Sequence, residues 1–200
     1  MRLTADDRIR KSIAQVAAKL VAQNGLEDFL IAKKKAAQQL NVNNKRLLPS
    51  NSEIEDALIE YQSLFHNEKQ QQTLYEFRTI AYRTMHLLEK YKPLLTGSVL
   101  SGTANEFSEI IIHVFSDSPE VISLYLENNG IPVSLCERRL KIEKKSHIYF
   151  TTLKFIAGDI NIVLIILPHI YQRKAPIDPI TQRAMKRAPL STVKRLIDDQ

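Results

Sequence analysis

The sequence predicts an α+β protein: a helical N-terminal segment at residues 1–92, a mixed-sheet core at 93–170 and an irregular basic C-terminal tail at 171–200. Three observations predict it. Apolar residues recur at helical spacing almost without a break up to Tyr91. From Pro93 the pattern changes to short runs rich in Ile, Val, Leu and Phe, bounded by Gly, Ser, Asn and Pro, as strands are. Beyond residue 170, Pro176, Pro179 and Pro189 interrupt any long regular element.

The first predicted helix covers 6–24. Ile9, Ile13, Val16, Ala17, Leu20 and Val21 share one side, Asp6 and Asp7 suit its N-terminus, and Gly25 suits its end. A second helix runs from Asp28 to Leu40, and Asn41, Asn43 and Asn44 mark a turn. Ser50-Asn51-Ser52-Glu53 supplies an N-cap with a capping-box partner for a third helix, which runs to Phe65. The fourth runs from Glu68 to Tyr91 with Leu74, Phe77, Ile80, Ala81, Met85 and Leu88 on one side, and must stop before Pro93. Strands follow at Leu94–Thr96 and Glu109–Phe115, separated by a loop or short helix at 98–106. Pro119 opens a helix that Asn129-Gly130 closes. Strands at Ile131–Ile142, Tyr149–Ile156 and Ile160–Leu167 come next, the last two forming a hairpin around Ala157-Gly158-Asp159. A short helix at Ser191–Ile197 ends the pattern.

Composition narrows the class. With 44% hydrophobic and 25% charged residues the chain suits a packed, water-facing protein. The single cysteine, Cys136, permits no internal disulfide and fits a reducing cytoplasm. No charged leader followed by an apolar stretch opens the chain. The longest apolar run, Ile162–Leu167, is far short of the roughly 20 residues a membrane helix needs. The net charge of +6 is uneven: each flank carries +4 and the 93–170 centre −2. Basic flanks attract nucleic acid and an acidic centre repels it. The helices at 6–24 and 28–40, followed by a third, have the size of a helix-turn-helix unit, whose Lys33, Lys34, Lys35, Lys45 and Arg46 can meet phosphates. Against that reading, no well-placed glycine stands in the candidate turn. In the tail, Arg173, Lys174, Arg183, Lys186 and Arg187 either line a cleft or pair with the acidic centre. There is no Gly-x-x-x-x-Gly-Lys-Ser/Thr phosphate loop and no Gly-x-Ser-x-Gly elbow.

The stretch with most chemical content is Leu94-Leu95-Thr96-Gly97-Ser98, followed after ten residues by Glu109-Ile110-Ile111-Ile112-His113-Val114. Strand, Gly-Ser, second strand, helix and three further strands is an order that resembles the nucleotidyltransferase superfamily of DNA polymerase beta. The phrases Ala32-Lys33-Lys34-Lys35-Ala36-Ala37, Leu48-Pro49-Ser50-Asn51-Ser52-Glu53-Ile54-Glu55, Leu100-Ser101-Gly102-Thr103-Ala104 and Arg187-Ala188-Pro189-Leu190 resemble those of a family of short bacterial proteins with such a domain. The superfamily pattern puts two carboxylates on the second strand as acid-apolar-acid. Residues two apart on a strand share a face, so both acids can hold the two Mg2+ ions that clamp the attacking and leaving oxygens. Glu109 stands at the first acid position and Ile111 at the second. The resemblance thus implies a nucleotide ligand with phosphate at Gly97 and Ser98, and Mg2+ at Glu109. It also implies a degenerate site without ordinary two-metal transfer, since Ile111 cannot bind a metal.

Two assignments stay open at this level. Asp159 is either the superfamily's third carboxylate, a catalytic and metal-binding partner of Glu109, or a hairpin-turn residue. His113, on the same strand face as Glu109, either ligates a metal or hydrogen-bonds a ligand, or is a packed core histidine. Two functions follow: a nucleotide-binding, nucleotidyltransferase-like protein, or a non-catalytic module that binds nucleic acid or protein through its basic flanks.

Overall fold

The computed structural model describes residues 4–24, 28–64, 68–143 and 146–199. The fold is α+β and divides into two compact units, one of residues 1–70 with 105–107, the other of 71–104 with 108–200. The change of character at Pro93 is where helix gives way to strand. The packing boundary falls earlier, at Gln70, because the fourth helix buries its apolar side against the sheet. Gly25 and Phe65, read above as helix-end residues, lie outside the described residues.

In the first unit, α1 (Ala5–Asn24), α2 (Phe29–Gln39) and α3 (Asn51–Leu64) share one core. It consists of Ile13, Ala14, Ala17, Ala18 and Val21 from α1, Ala32, Ala36 and Ala37 from α2, and Ile54, Ala57 and Leu58 from α3. So many alanines bring helix axes close at little side-chain entropy cost. Asp28 caps α2 by accepting from the Leu30 and Ile31 N–H groups at 2.7 and 3.3 Å. The expected capping box opens α3: Glu53 N–H donates to Ser50 Oγ at 3.2 Å, and Ser50 N–H donates to Glu53 Oε2 at 2.6 Å.

In the second unit, a five-stranded mixed sheet has the order β1-β2-β5-β4-β3. The strands are β1 (Leu94–Thr96), β2 (Ile110–Phe115), β3 (Ser134–Glu143), β4 (Ser146–Ala157) and β5 (Ile160–Leu167). β2 and β5 pair in parallel, Ile110 opposite Ile162, and the other neighbours are antiparallel. β3 starts three residues later than its apolar run because Ile131 and Val133 pack against the core ahead of the ladder. β4 is longer at both ends than its apolar run, since backbone pairing with β3 continues through polar Ser146 and His147. The short helix expected within 98–106 is α5 (Ser98–Ser101).

One sheet face is covered by α4 (Glu68–Leu87), α6 (Pro119–Asn128) and α7 (Leu190–Asp198). Leu74, Phe77, Ala81 and Met85 of α4, Ile122 and Leu126 of α6, and Val193 of α7 meet Leu95, Ile110, Ile112, Val114, Leu153, Ile162, Leu164 and Ile166. The opposite face carries Phe115, Leu140, Ile142, Phe150, Val163, Ile165 and Leu167, with Leu94, Ile111 and Tyr171 packed on them. The tail adheres through backbone pairing. Leu95 and Ala188 exchange N–H···O=C bonds at 2.9 Å, and Thr96 Oγ1 donates to the Lys186 carbonyl at 2.9 Å. Among the described residues, no helix is long and apolar enough to cross a membrane.

Candidate functional site

The residues singled out at 97, 98, 109, 111 and 113 belong to the second unit, at the end of β1 and along β2. Gly97 leaves β1 with φ 78° and ψ −157°, a region open in practice to glycine alone, and Ser98 begins α5 directly after it. A Cβ on Gly97 would lie 3.5 Å from Ile111 Cδ1, ordinary contact, so space is not what demands glycine here. Gly97→Ala is expected to lower stability by about 1–3 kcal/mol through backbone strain alone, read as a shifted thermal midpoint. The same geometry shows where Ile111 goes. Its side chain lies against Gly97, where the superfamily pattern would have a metal-bound carboxylate.

Glu109 has cationic company. Its Oε1 accepts from Lys154 Nζ of β4 at 3.1 Å, and its Oε2 lies 3.8 Å from Arg138 Nη1 of β3. The sheet register explains how residues of separate strands meet. Lys154 pairs with Val163, and Val163 with Ile111, so Lys154 shares a face with Ile111 and Glu109. Arg138 belongs to the same face through the alternation that buries Leu140 and Ile142.

Asp159 is in the tight connection between β4 and β5, exposed, next to Gly158 at φ 64°. Since Ile110 pairs with Ile162, the register sets Asn161 beside Glu109. Asp159 is two residues further back, about 7 Å along the strand direction. The turn reading describes its position; a carboxylate pair with Glu109 does not. His113 is fully buried on β2, and no protein group pairs with either ring nitrogen. Burial, with the nearby Arg187 and Arg138 charges, pulls its pKa from 6.5 down to about 3. It is therefore a neutral interior side chain at pH 7. Among the described residues, no group of three or more His, Cys, Asp or Glu is arranged to hold a metal ion. The expected metal set of Glu109, Asp159 and His113 is accordingly separated into an ion-paired acid, a turn residue and a core histidine.

The basic residues divide in the same way. Lys33 donates to the Pro49 carbonyl at 2.8 Å, and burial holds its pKa below the usual lysine value. Lys34, Lys35, Lys45 and Arg46 are exposed. In the tail, Lys174 pairs with Glu143 at 2.7 Å. Arg187 donates to the Tyr171 and Gln172 carbonyls at 2.8 and 2.9 Å and stands 5.8 Å from the Phe115 ring centre. It locks the tail rather than lining a cleft. Arg173, Arg183 and Lys186 are exposed.

Lys154 and Arg138 are the site residues that motif reading missed. Their signal was weak but present. Each is a cation on a strand face whose residues two and four away on one side, Thr152 and Phe150 on β4 and Leu140 and Ile142 on β3, are buried. The outcome is a polar island of one carboxylate and two cations beside an apolar residue and a glycine turn, a composition suited to an anion. No protein-family model matches this chain, and no curated protein matches it.

Proposed function

We propose that the chain is a divergent nucleotidyltransferase-like protein that binds a nucleotide through its phosphates and does not carry out two-metal transfer. The observation that supports this best is the placing of Glu109 between Lys154 and Arg138. Two cations already held beside Glu109 oppose the approach of a dication to it. Here each cation would repel a divalent ion by roughly 3–7 kcal/mol at about 5–10 Å with an effective dielectric of about 20, before salt screening. A phosphate meets the opposite field: Lys154 and Arg138 supply the positive charge that Mg2+ supplies in an ordinary site. Gly97 and Ser98 would contact the phosphate from the backbone side, and Glu109 would orient the two cations.

Titration calorimetry with ATP, CTP, GTP and UTP, each with Mg2+ and with EDTA, tests the reading. Heat with at least one nucleotide is expected, of similar affinity with and without the metal. Lys154→Gln is expected to weaken it about tenfold, the worth of one charge-assisted contact. No heat with any nucleotide, together with a salt-dependent gel shift on DNA or RNA, would move the assignment to nucleic-acid binding by the exposed Lys34, Lys35, Lys45 and Arg46. Turnover of labelled nucleotide that Glu109→Gln abolishes would show that transfer chemistry survives.

A further inference from the structure

β3 is the outer strand of the sheet, so one of its sides has no strand neighbour. Among the described residues, the backbone contact on that side comes from the tail, where Ile177 N–H donates to the Lys141 carbonyl at 2.7 Å. A residue's N–H and C=O point to the same side of a strand, and the side alternates. Leu135, Glu137 and Arg139 therefore point their backbone groups outward, as Lys141 does. Their side chains are exposed, Leu135 at 70%.

We infer that this edge pairs with the same edge of a second copy, antiparallel and centred on Arg138, to make one continuous sheet across a twofold axis. The order of charges favours that partner and that register, the one that sets opposite charges across the ladder. With Arg138 at the axis, Glu137 of each copy stands opposite Arg139 of the other, and each pair exchanges both backbone hydrogen bonds. A register centred on Glu137 sets carboxylate against carboxylate, and one centred on Arg139 sets guanidinium against guanidinium, both unfavourable across a ladder. A slip of one residue would turn the side chains to the wrong faces. Charged residues on an edge ordinarily keep other strands away. In this arrangement they disfavour the registers centred on Glu137 and Arg139 and complement their own copy. On the other face Arg138 meets its symmetry mate, a like-charge pair whose repulsion is offset because each guanidinium is turned toward its own Glu109 at 3.8 Å. Ile177 limits the ladder at Lys141, where Leu135 of the second copy ends against it.

This inference does not depend on the nucleotide reading. Light scattering and sedimentation of the full chain over a range of concentrations test it. A dimer is expected. Glu137→Arg alone and Arg139→Glu alone are expected to raise the dissociation constant by about tenfold or more, and the double exchange E137R/R139E to restore it. In a Cys136→Ser background, Arg138→Cys is expected to give a reducible covalent dimer, because the axial residues of a non-hydrogen-bonded pair lie close enough for a disulfide. Glu137→Cys in the same background is expected to give none. A monomer at all concentrations, a double exchange that stays dissociated, or cross-linking at 137 in preference to 138 would each overturn it.

Discussion

Arg78→Leu is expected to lower the stability of the second unit by about 2–5 kcal/mol, the largest effect foreseen for a single polar side chain in this protein. Arg78 is on α4 and only 7% exposed. Its Nε donates to the Val99 carbonyl at 3.4 Å and its Nη1 to the Leu196 carbonyl at 3.2 Å. Both carbonyls belong to helix ends, one in α5 and one in the last turn of α7. Such carbonyls lack an intrahelical donor and carry the negative pole of the helix dipole. Burial lowers the arginine pKa from its ordinary value, yet a guanidinium stays charged at neutral pH. The fork of donors lets one residue tie three helices together. Leucine keeps much of the bulk but leaves both carbonyls without a donor, and lysine can serve the pair only as a point charge. Arg78→Lys is therefore expected to recover less than half of the loss. Urea unfolding of the wild type and the two variants measures this; midpoints that coincide would show that the carbonyls find other donors.

His113→Leu is expected to act in the opposite direction. The wild type carries a neutral imidazole in the core, with both nitrogens unpaired by any protein group. An unpaired buried polar atom costs about 1–3 kcal/mol, so leucine, of similar volume, is expected to stabilise the fold by about that amount at pH 7. The pH dependence follows from the same burial. The unfolded chain takes up the proton near the ordinary histidine value of 6.5, whereas the folded chain resists it down to about 3. Above 6.5 neither state is protonated and His113 adds no slope. Between the two values the unfolded state holds one more proton, so stability falls as pH falls, by up to about 1.4 kcal/mol per unit. Carboxylates act in the same range, but they do so in both proteins, and the difference between wild type and His113→Leu isolates this residue. Unfolding curves at several pH values between 7 and 4 read it. Two curves that stay parallel would mean that the imidazole is not held neutral in the fold.

The fold was more legible in the sequence than the site was. Helix ends carry local marks, such as Ser50 with Glu53 and Pro119 after Ser118, and the structure uses residues 50 and 53 in the capping box the spacing predicts. Strand alternation and the hairpin at Gly158 are equally local. The unit to which α4 belongs was not legible, because its apolar side fits a helical partner or a sheet equally well; only tertiary packing decides. For the site, the absence of a second acid at Ile111 could be read directly. That Glu109 meets Lys154 and Arg138 could not, since it depends on strand order and register across four strands. Asp159 illustrates the same limit. Its distance from Glu109 depends on the parallel alignment of Ile110 with Ile162, which no local pattern announces.

The place of β5 in the sheet has a consequence for how the chain is made. β5 is the last strand in the sequence yet lies in the middle of the sheet, between β2 and β4. When β2 emerges from the ribosome it can pair with β1, but its other side has no partner until residues 160–167 have followed. Meanwhile β3 and β4, linked by a short connection, can form a hairpin by themselves. Synthesis thus produces two separate β pieces, each with an apolar strand edge, and the last strand joins them. Leu95 then waits longer still for Ala188. Pairings so far apart in sequence are slow to form and leave apolar surface uncovered in the interval. The second unit cannot complete its core during synthesis until its C-terminal third is present, and over that interval the nascent chain depends on whatever shields apolar edges in its cell.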